Sequence, residues 1–320
     1  MNHHSIIAVD LMGGDHTAVS RLHALEKFHT QHPQIKLRAY VDEAFAKNQQ
    51  QSIENLEAIA EVIVADQMIT MDESPLLALR KKRMSSMSLS IKAVADADAD
   101  AVLTAGNSGA LVALAKYWLK SDAGIERPAL ATVLPGVPKP TLLLDIGATL
   151  EYNAEELFAL AEVGAQIAPQ LLACGKSPEV ALLNVGTEHI KGHDTVQQAD
   201  RLMQDSDINY LGFCEGTHLF KGYADVICCD GFVGNITLKA CEGLMQQLQS
   251  NATKTWWQRW IEKKFWQYNG VNLNPAQYNG ALLLGLDGLV VKAHGNSDEI
   301  DFYHALVQTA TYIDKVKLAL

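Results

Sequence analysis

Polar, glycine-rich clusters recur in this chain directly after short apolar runs, and they hold the residues best suited to chemistry. Ile6–Asp10 leads into Leu11-Met12-Gly13-Gly14-Asp15-His16, Ala101–Thr104 into Ala105-Gly106-Asn107-Ser108-Gly109, and Thr141–Ile146 carries Asp145 into Gly147-Ala148-Thr149. Later come Asn184-Val185-Gly186-Thr187-Glu188 with Lys191-Gly192, then Asp230-Gly231-Phe232-Val233-Gly234-Asn235 with Lys239, and His294-Gly295-Asn296-Ser297. Glycine lets backbone N–H groups approach a ligand, and a helix starting just beyond adds partial positive charge, so such turns suit an anion. A single turn of this kind often does no more than reverse the chain. Its recurrence at successive strand ends is what argues for a site, because open α/β sheets bind ligands beyond the carboxyl ends of their strands.

Signatures of other chemistries are missing. The second glycine of Gly106-Asn107-Ser108-Gly109 comes one residue too early for a nucleophile elbow. The first strand is not followed by Gly-x-Gly-x-x-Gly, and the chain has no Walker Gly-Lys-Ser/Thr, so dinucleotide and nucleoside triphosphate binding lose support.

The elements that position these turns read as alternating strands and helices, the pattern of a parallel or mixed sheet with crossover helices. The predicted strands are Ile6–Asp10, Lys36–Val41, Val62–Ala65, Ala101–Thr104, Ala129–Leu134, Thr141–Ile146, Val180–Val185, Asn209–Phe213, Ala224–Cys229 and Leu289–Ala293. Helices are expected over Glu156–Leu172 and Asp298–Leu318, the latter capped by Asp298 or Ser297. With no repeat and no long linker, residues 1–320 read as one α/β domain or two interwoven lobes.

Composition narrows the setting. At 320 residues and 48% hydrophobic the chain can bury a sizeable core. The five cysteines lack paired zinc-ligand spacing and read as thiols of a reducing compartment. The amino terminus lacks signal-peptide character, so the expected location is the cytoplasm. No run approaches the roughly 18 apolar residues of a bilayer span. A formal charge of −11 argues against nucleic acid and requires a local basic patch for any acidic protein partner. Arg80-Lys81-Lys82-Arg83 is either that patch or a solvated helix face.

Taken in order, Ile7–Asp15, Thr104–Leu111, Arg127–Ala131, Leu143–Ala148, Leu183–Gly186, Lys191-Gly192, Asp225–Asn235, Leu238-Lys239, Glu242-Gly243, Leu284-Gly285 and His294-Gly295 resemble the acyl-[acyl carrier protein]:phosphate acyltransferase family of bacterial phospholipid synthesis. The resemblance implies transfer of a long-chain acyl group from the carrier-protein thioester to inorganic phosphate, without metal or other cofactor. It implies a Rossmann-like three-layer fold of the phosphotransacetylase and isocitrate/isopropylmalate dehydrogenase type, and a homodimer. There are departures: the family usually has Asn where Thr149 stands, an acidic residue at Thr187, and Pro near Thr17-Ala18-Val19.

For such a reaction the residues can be given roles. Phosphate dianion is already nucleophilic, so positioning and charge stabilisation dominate. Asn107, Ser108 and neighbouring N–H groups make one donor set, and Lys191, Asn235 and Lys239 the other. His16 or His294 could assist the departing thiolate, the alternative being a hydrogen-bonded structural histidine. Gly13, Gly14, Gly106, Gly109, Gly147, Gly186 and Gly234 would line the substrate. Asp15, Asp145 and Asp230, which would repel phosphate, are expected to orient donors. Gathered in one cluster, they would instead suit a divalent metal and a decarboxylating dehydrogenase. A catalytically decayed module that binds carrier protein is the non-enzymatic alternative.

One segment stands apart. Thr255–Tyr268 holds Trp256, Trp257, Trp260 and Trp266 among Arg259, Lys263 and Lys264, and residues 250–275 are expected to form a helical extension. Trp with basic residues suits either the headgroup layer of the inner membrane face or a dimer contact.

Overall fold

The protein is described by a computed structural model over residues 4–121, 125–250, 267–268, 271–272 and 279–317. It divides into two compact units, Met1–Ala123 with Asn279–Leu320, and Gly124–Tyr278. In chain order the first unit contains β1 (Ile6–Asp10), α1 (Ala18–Gln31), β2 (Lys36–Asp42), α2 (Glu43–Asn48), α3 (Gln50–Glu57), β3 (Glu61–Ala65), α4 (Pro75–Lys81), α5 (Ser86–Ala95), β4 (Ala101–Thr104) and α6 (Ser108–Trp118). The second contains β5 (Ala129–Leu134), β6 (Thr141–Leu144), α7 (Ala154–Leu172), β7 (Val180–Leu183), α8 (Asp194–Gln204), β8 (Tyr210–Cys214), β9 (Val226–Cys228), α9 (Gly231–Ser250), β10 (Gln267–Tyr268) and β11 (Val271–Asn272). The chain then returns to the first unit as β12 (Ala281–Leu284), β13 (Leu289–Lys292) and α10 (Glu299–Lys317).

In the first unit the strands run in the order β3-β2-β1-β4-β13-β12. All pairings are parallel except β12 with β13. The chain moves outward from β1 to β3 and then crosses back to β4. Because parallel crossovers are right-handed, that reversal puts α5 on the face opposite α1. Helix α1 packs on α10, and α5 packs on β1 and α6. The reversal also makes the gap between β1 and β4 a switch point, the place in an open α/β sheet beyond which ligands commonly bind. The second unit has the order β5-β6-β9-β7-β8, parallel except for β5 with β6. There β9, last of its parallel strands in sequence, inserts between β6 and β7.

Local chemistry sets the helix starts. The Thr17 hydroxyl accepts from the Ser20 N–H, so α1 opens without the proline usual in the resembling family. Asn153 and Glu156 form a reciprocal capping box on α7. Asp298 accepts from the Asp301 N–H, as the sequence suggests.

The ten predicted strands are present with ends shifted by at most a few residues. Strand β12 is an addition, and it turns the first sheet's edge antiparallel. The helical extension at 250–275 needs correcting in part: Gln267-Tyr268 and Val271-Asn272 pair as an antiparallel ladder, so Tyr268 is on a strand. The rest of the aromatic segment lies outside the described residues. Among the described residues, no helix is long and apolar enough to cross a membrane.

Candidate active site

In the first unit the parallel strands β1, β4 and β13 bring three of the polar turns into contact. The Asp15 N–H donates to the Gly295 carbonyl at 2.7 Å, and the His16 ring pairs through Nε2 with the Asn296 carbonyl at 3.0 Å. Gly13 and Gly14 have φ of +77° and +81°, and a Cβ on Gly13 would lie 3.0 Å from the Gly106 Cα. Only glycine fits a left-handed residue packed against another backbone.

Beneath these turns lies buried charge. Asp10 is 1% exposed. Its carboxylate accepts from the Thr104 hydroxyl at 2.7 Å and the Met12 N–H at 3.2 Å, and burial pushes its pKa up to about 6. Arg21 reaches in from α1 and donates through Nη1 to the Leu11 carbonyl at 2.6 Å. Lys292 donates to the Ala105 carbonyl at 3.3 Å and to that of Ala293.

Asn107 does a different job from the one its sequence position suggests. Its Oδ1 caps α6 by accepting from the Ala110 N–H, while its Nδ2 donates to the carbonyls of Met71 and Glu73, both at 2.9 Å. The amide is spent on holding the 70–73 loop to the start of α6, so the open donors at this end are the N–H groups of Ser108 and Gly109. Gly109 itself admits α4, since a Cβ there would lie 2.8 Å from Pro75 Cγ. His294 donates its N–H to Asn279 Oδ1, and its carbonyl accepts from the Ser297 hydroxyl.

In the second unit Asp145 organises the turn after β6. It has no exposed surface. Oδ1 accepts from the N–H groups of Leu130, Gly147 and Ala148, and Oδ2 from the Thr149 N–H and the Tyr152 hydroxyl, all between 2.7 and 3.0 Å. Desolvation raises its pKa against the opposing pull of these donors. The N–H groups at 147–149 therefore point inward at the carboxylate, not outward at a ligand as the glycine pattern implied. Thr149 places its hydroxyl 3.4 Å from the Pro128 carbonyl.

The turns after β9 and β7 complete this group. Asp230 caps α9 through the Val233 N–H at 2.8 Å, and the Gly231 N–H donates to the Thr149 carbonyl. Asn235 lies against Gly147, whose φ is +123°. Lys239, one helical turn beyond Asn235, shares its face and is exposed. Lys191 is exposed too, its stem lying along Gly186.

Asp15, Asp145 and Asp230 thus stand in separate turns; the carboxylates of Asp145 and Asp230 hold backbone donors, whereas Asp15 is tied through its own N–H to Gly295. Sequence reasoning missed Asp10, Arg21, Thr104 and Tyr152. Arg21 had a readable signal, since it shares the helical spacing of Ala18, Leu22, Leu25 and Phe28, the buried face of α1.

One expectation follows from Asp10. A carboxyl whose folded pKa is raised from 3.8 to about 6 favours the folded state when protonated, so its contribution is complete below about pH 4 and is lost as pH rises through 6. At about 1.4 kcal/mol per pKa unit, the Asp10→Asn protein should gain up to about 3 kcal/mol relative to the parent between pH 4 and pH 7. Urea unfolding at stepped pH measures this, and parallel pH curves for the two proteins would exclude it.

The comparisons with known proteins fit this arrangement. In fold the chain is similar to a phosphotransacetylase from Streptococcus pyogenes, with a TM-score of 0.63 at 14% identity over 97% of this chain and 94% of that one. It is also similar to a branched-chain phosphotransacylase from Enterococcus faecalis V583, with a TM-score of 0.60 at 15% identity over 97% and 99%. The chain is thus a mixed α/β protein of the phosphotransacetylase type of fold. Residues 6–316 match the fatty acid synthesis protein family, and the chain belongs to that family. It is 43% identical over 318 residues to a phosphate acyltransferase of Shewanella sp. (strain MR-4), covering 94% of this chain and 90% of the relative. A phosphate acyltransferase of Shewanella sp. (strain W3-18-1) is 44% identical, with 95% and 92% covered.

Proposed function

We propose that the chain transfers a long-chain acyl group from the thioester of acyl carrier protein to inorganic phosphate, releasing the carrier thiol and forming an acyl phosphate for phospholipid synthesis. The observation that carries this reading is the 43% identity, along nearly the whole chain, to proteins named phosphate acyltransferase. A phosphate oxygen attacks the thioester carbonyl, the C–S bond breaks, and the thiolate leaves with the carrier. Thiols of this kind have a pKa of about 8.5, so the leaving group needs little protonation.

The chain's own groups suit these steps. The open N–H groups at Ser108 and Gly109 form one donor set, with Asn107 as the residue that fixes them. In the second unit, Lys191, Asn235 and Lys239 are the donors proposed for negative charge, with Asp230 capping the helix that carries Asn235 and Lys239 and Asp145 holding the 147–149 turn. His16 and His294 remain the candidates for assisting the thiolate. Phe232 and Ile236, 57% and 53% exposed beside Asn235, offer apolar surface to an acyl chain. In the basic run, Lys82 is tied to Glu73 and Arg83 donates to the Tyr117 hydroxyl, which leaves Arg80 and Lys81 as the exposed pair for an acidic carrier.

The test uses purified protein, long-chain acyl-acyl carrier protein and varied phosphate. Free thiol should appear only with phosphate, matched by acyl phosphate trapped as hydroxamate. Thiol release that ignores phosphate, or nicotinamide reduction with magnesium and a hydroxy acid, would replace this reading. We infer further that the chain acts as a cytoplasmic homodimer and that 255–268 contacts the inner membrane face. Flotation with anionic liposomes that is unchanged when Trp256, Trp257 and Trp260 become Ser would remove the membrane role.

A further inference from the structure

We infer that Arg21, sealed behind the Gly13–Gly14 turn, is a positioning residue that raises the affinity of the first unit's turns for the phosphate dianion. This deepens the proposed acyl transfer and rests on it. The side chain is 1% exposed, and its Nη1 donates to the Leu11 carbonyl. Among the described residues its buried Nε and Nη2 have no hydrogen-bond partner, while the guanidinium carbon lies 5.6 Å from the centre of the Phe302 ring. A buried guanidinium with open donors is unfavourable, so an arginine serving only to hold Leu11 has the wrong chemistry for its place.

The open donors face the turn. A Cβ on Gly14 would come within 2.4 Å of Nη2, 2.9 Å of the Gly295 carbonyl and 3.1 Å of the Ala105 carbonyl. Glycine at 14 thus lets the cation sit one peptide layer below the surface formed by the 13–15, 105–109 and 294–297 turns. The nearby carboxylates are Asp10, engaged with Thr104 and Met12, and the exposed Asp15, while Lys292, buried on the Ala105 carbonyl, is a second cation behind these turns. Burial holds Arg21 below the usual guanidinium range, and both carboxylates oppose that shift. On the outer side, the start of α6 presents the N–H groups of Ser108 and Gly109, whose intrahelical partners are missing by geometry. A dianion held there gains from the helix end and from a cation shielded from water, a combination stronger than either alone.

The experiment compares the full-length parent with Arg21→Met and Arg21→Lys. Steady-state rates are taken with varied phosphate, then with varied acyl-acyl carrier protein. Melting is followed separately in phosphate against chloride of equal ionic strength, with no acyl donor present. The parent should melt higher in phosphate. Arg21→Met should lose most of that rise and show a KM for phosphate at least tenfold higher, with the KM for acyl donor changed less than threefold. Arg21→Lys should recover part of both effects. The inference is overturned if Arg21→Met keeps the phosphate-induced rise, if both KM values climb together, or if the parent shows no such rise. If Arg21→Met does not fold, Arg21→Gln, which keeps a donor for Leu11 without the charge, is judged by the same readings. A parent that melts higher in phosphate but releases no thiol would overturn the acyl-transfer reading alone.

Discussion

Alanine at position 191 is expected to lower turnover with acyl-acyl carrier protein and phosphate by about a hundredfold or more, the scale of losing one donor that meets developing negative charge. The surrounding turn is built to present this lysine. Asn184 spans it, accepting from the Val185 N–H at 2.8 Å and donating to the Lys191 carbonyl at 3.1 Å. Gly192, at φ +86°, lies so close to that amide that a Cβ would stand 2.5 Å from Oδ1. The stem then runs over Gly186, whose absent side chain leaves a channel for it. Among the described residues, the ammonium pairs with no carboxylate, so its charge is available to an anionic ligand. Because the removed atoms are exposed, stability should change by no more than about 0.5 kcal/mol. Single-turnover rates with parallel melting curves test this. A loss below about threefold with folding intact would take Lys191 out of the mechanism.

Where the sequence was legible, periodicity and chain punctuation carried the information. Strands such as Ile6–Asp10 and Val180–Leu183 are short apolar runs that end in glycine-bearing turns, and little else satisfies such a pattern. Strand β12 escaped because Ala281-Leu282-Leu283-Leu284 has neither β-branched residues nor alternation, and its partnership with β13 is decided by packing. The turns follow the strands as expected, but at 147–149 and at Asn107 the donors point elsewhere than expected. A glycine run says that backbone N–H groups are accessible, yet not where they point. At 147–149 they turn inward because Asp145 is buried and needs them. Asn107 illustrates the same limit, since its amide can face either a ligand or the 70–73 carbonyls and only the fold chooses. Arg21 was missed although it is a basic residue on an apolar helical face, and its open donors emerge only when the Gly13–Gly14 turn closes over them.

The substitution Gly234→Ala should be the most damaging single methyl in the second unit. An added Cβ would lie 1.9 Å from the Asp145 carbonyl oxygen, 2.9 Å from its carbon and 3.0 Å from Cys229 Sγ. Relief by movement of Asp145 is blocked from both directions. Its N–H donates to the Cys229 carbonyl at 2.9 Å, the Cys229 N–H donates to Leu144 at 2.8 Å, and its side chain holds five donors. Helix α9 must therefore retreat, carrying Asp230 and Asn235 away from the 145–149 turn. Overpacking on this scale costs about 3 kcal/mol or more, a fall in melting temperature of about 10 °C for a unit of this size. Gly243→Ala on the same helix is the internal control, because among the described residues nothing lies within 4 Å of its added Cβ. It should stabilise by about 0.5–1 kcal/mol through helix propensity alone. Opposite shifts from the same chemical change, read by calorimetry, would show that close approach to Asp145 and not glycine as such fixes position 234; shifts of the same sign would remove the argument.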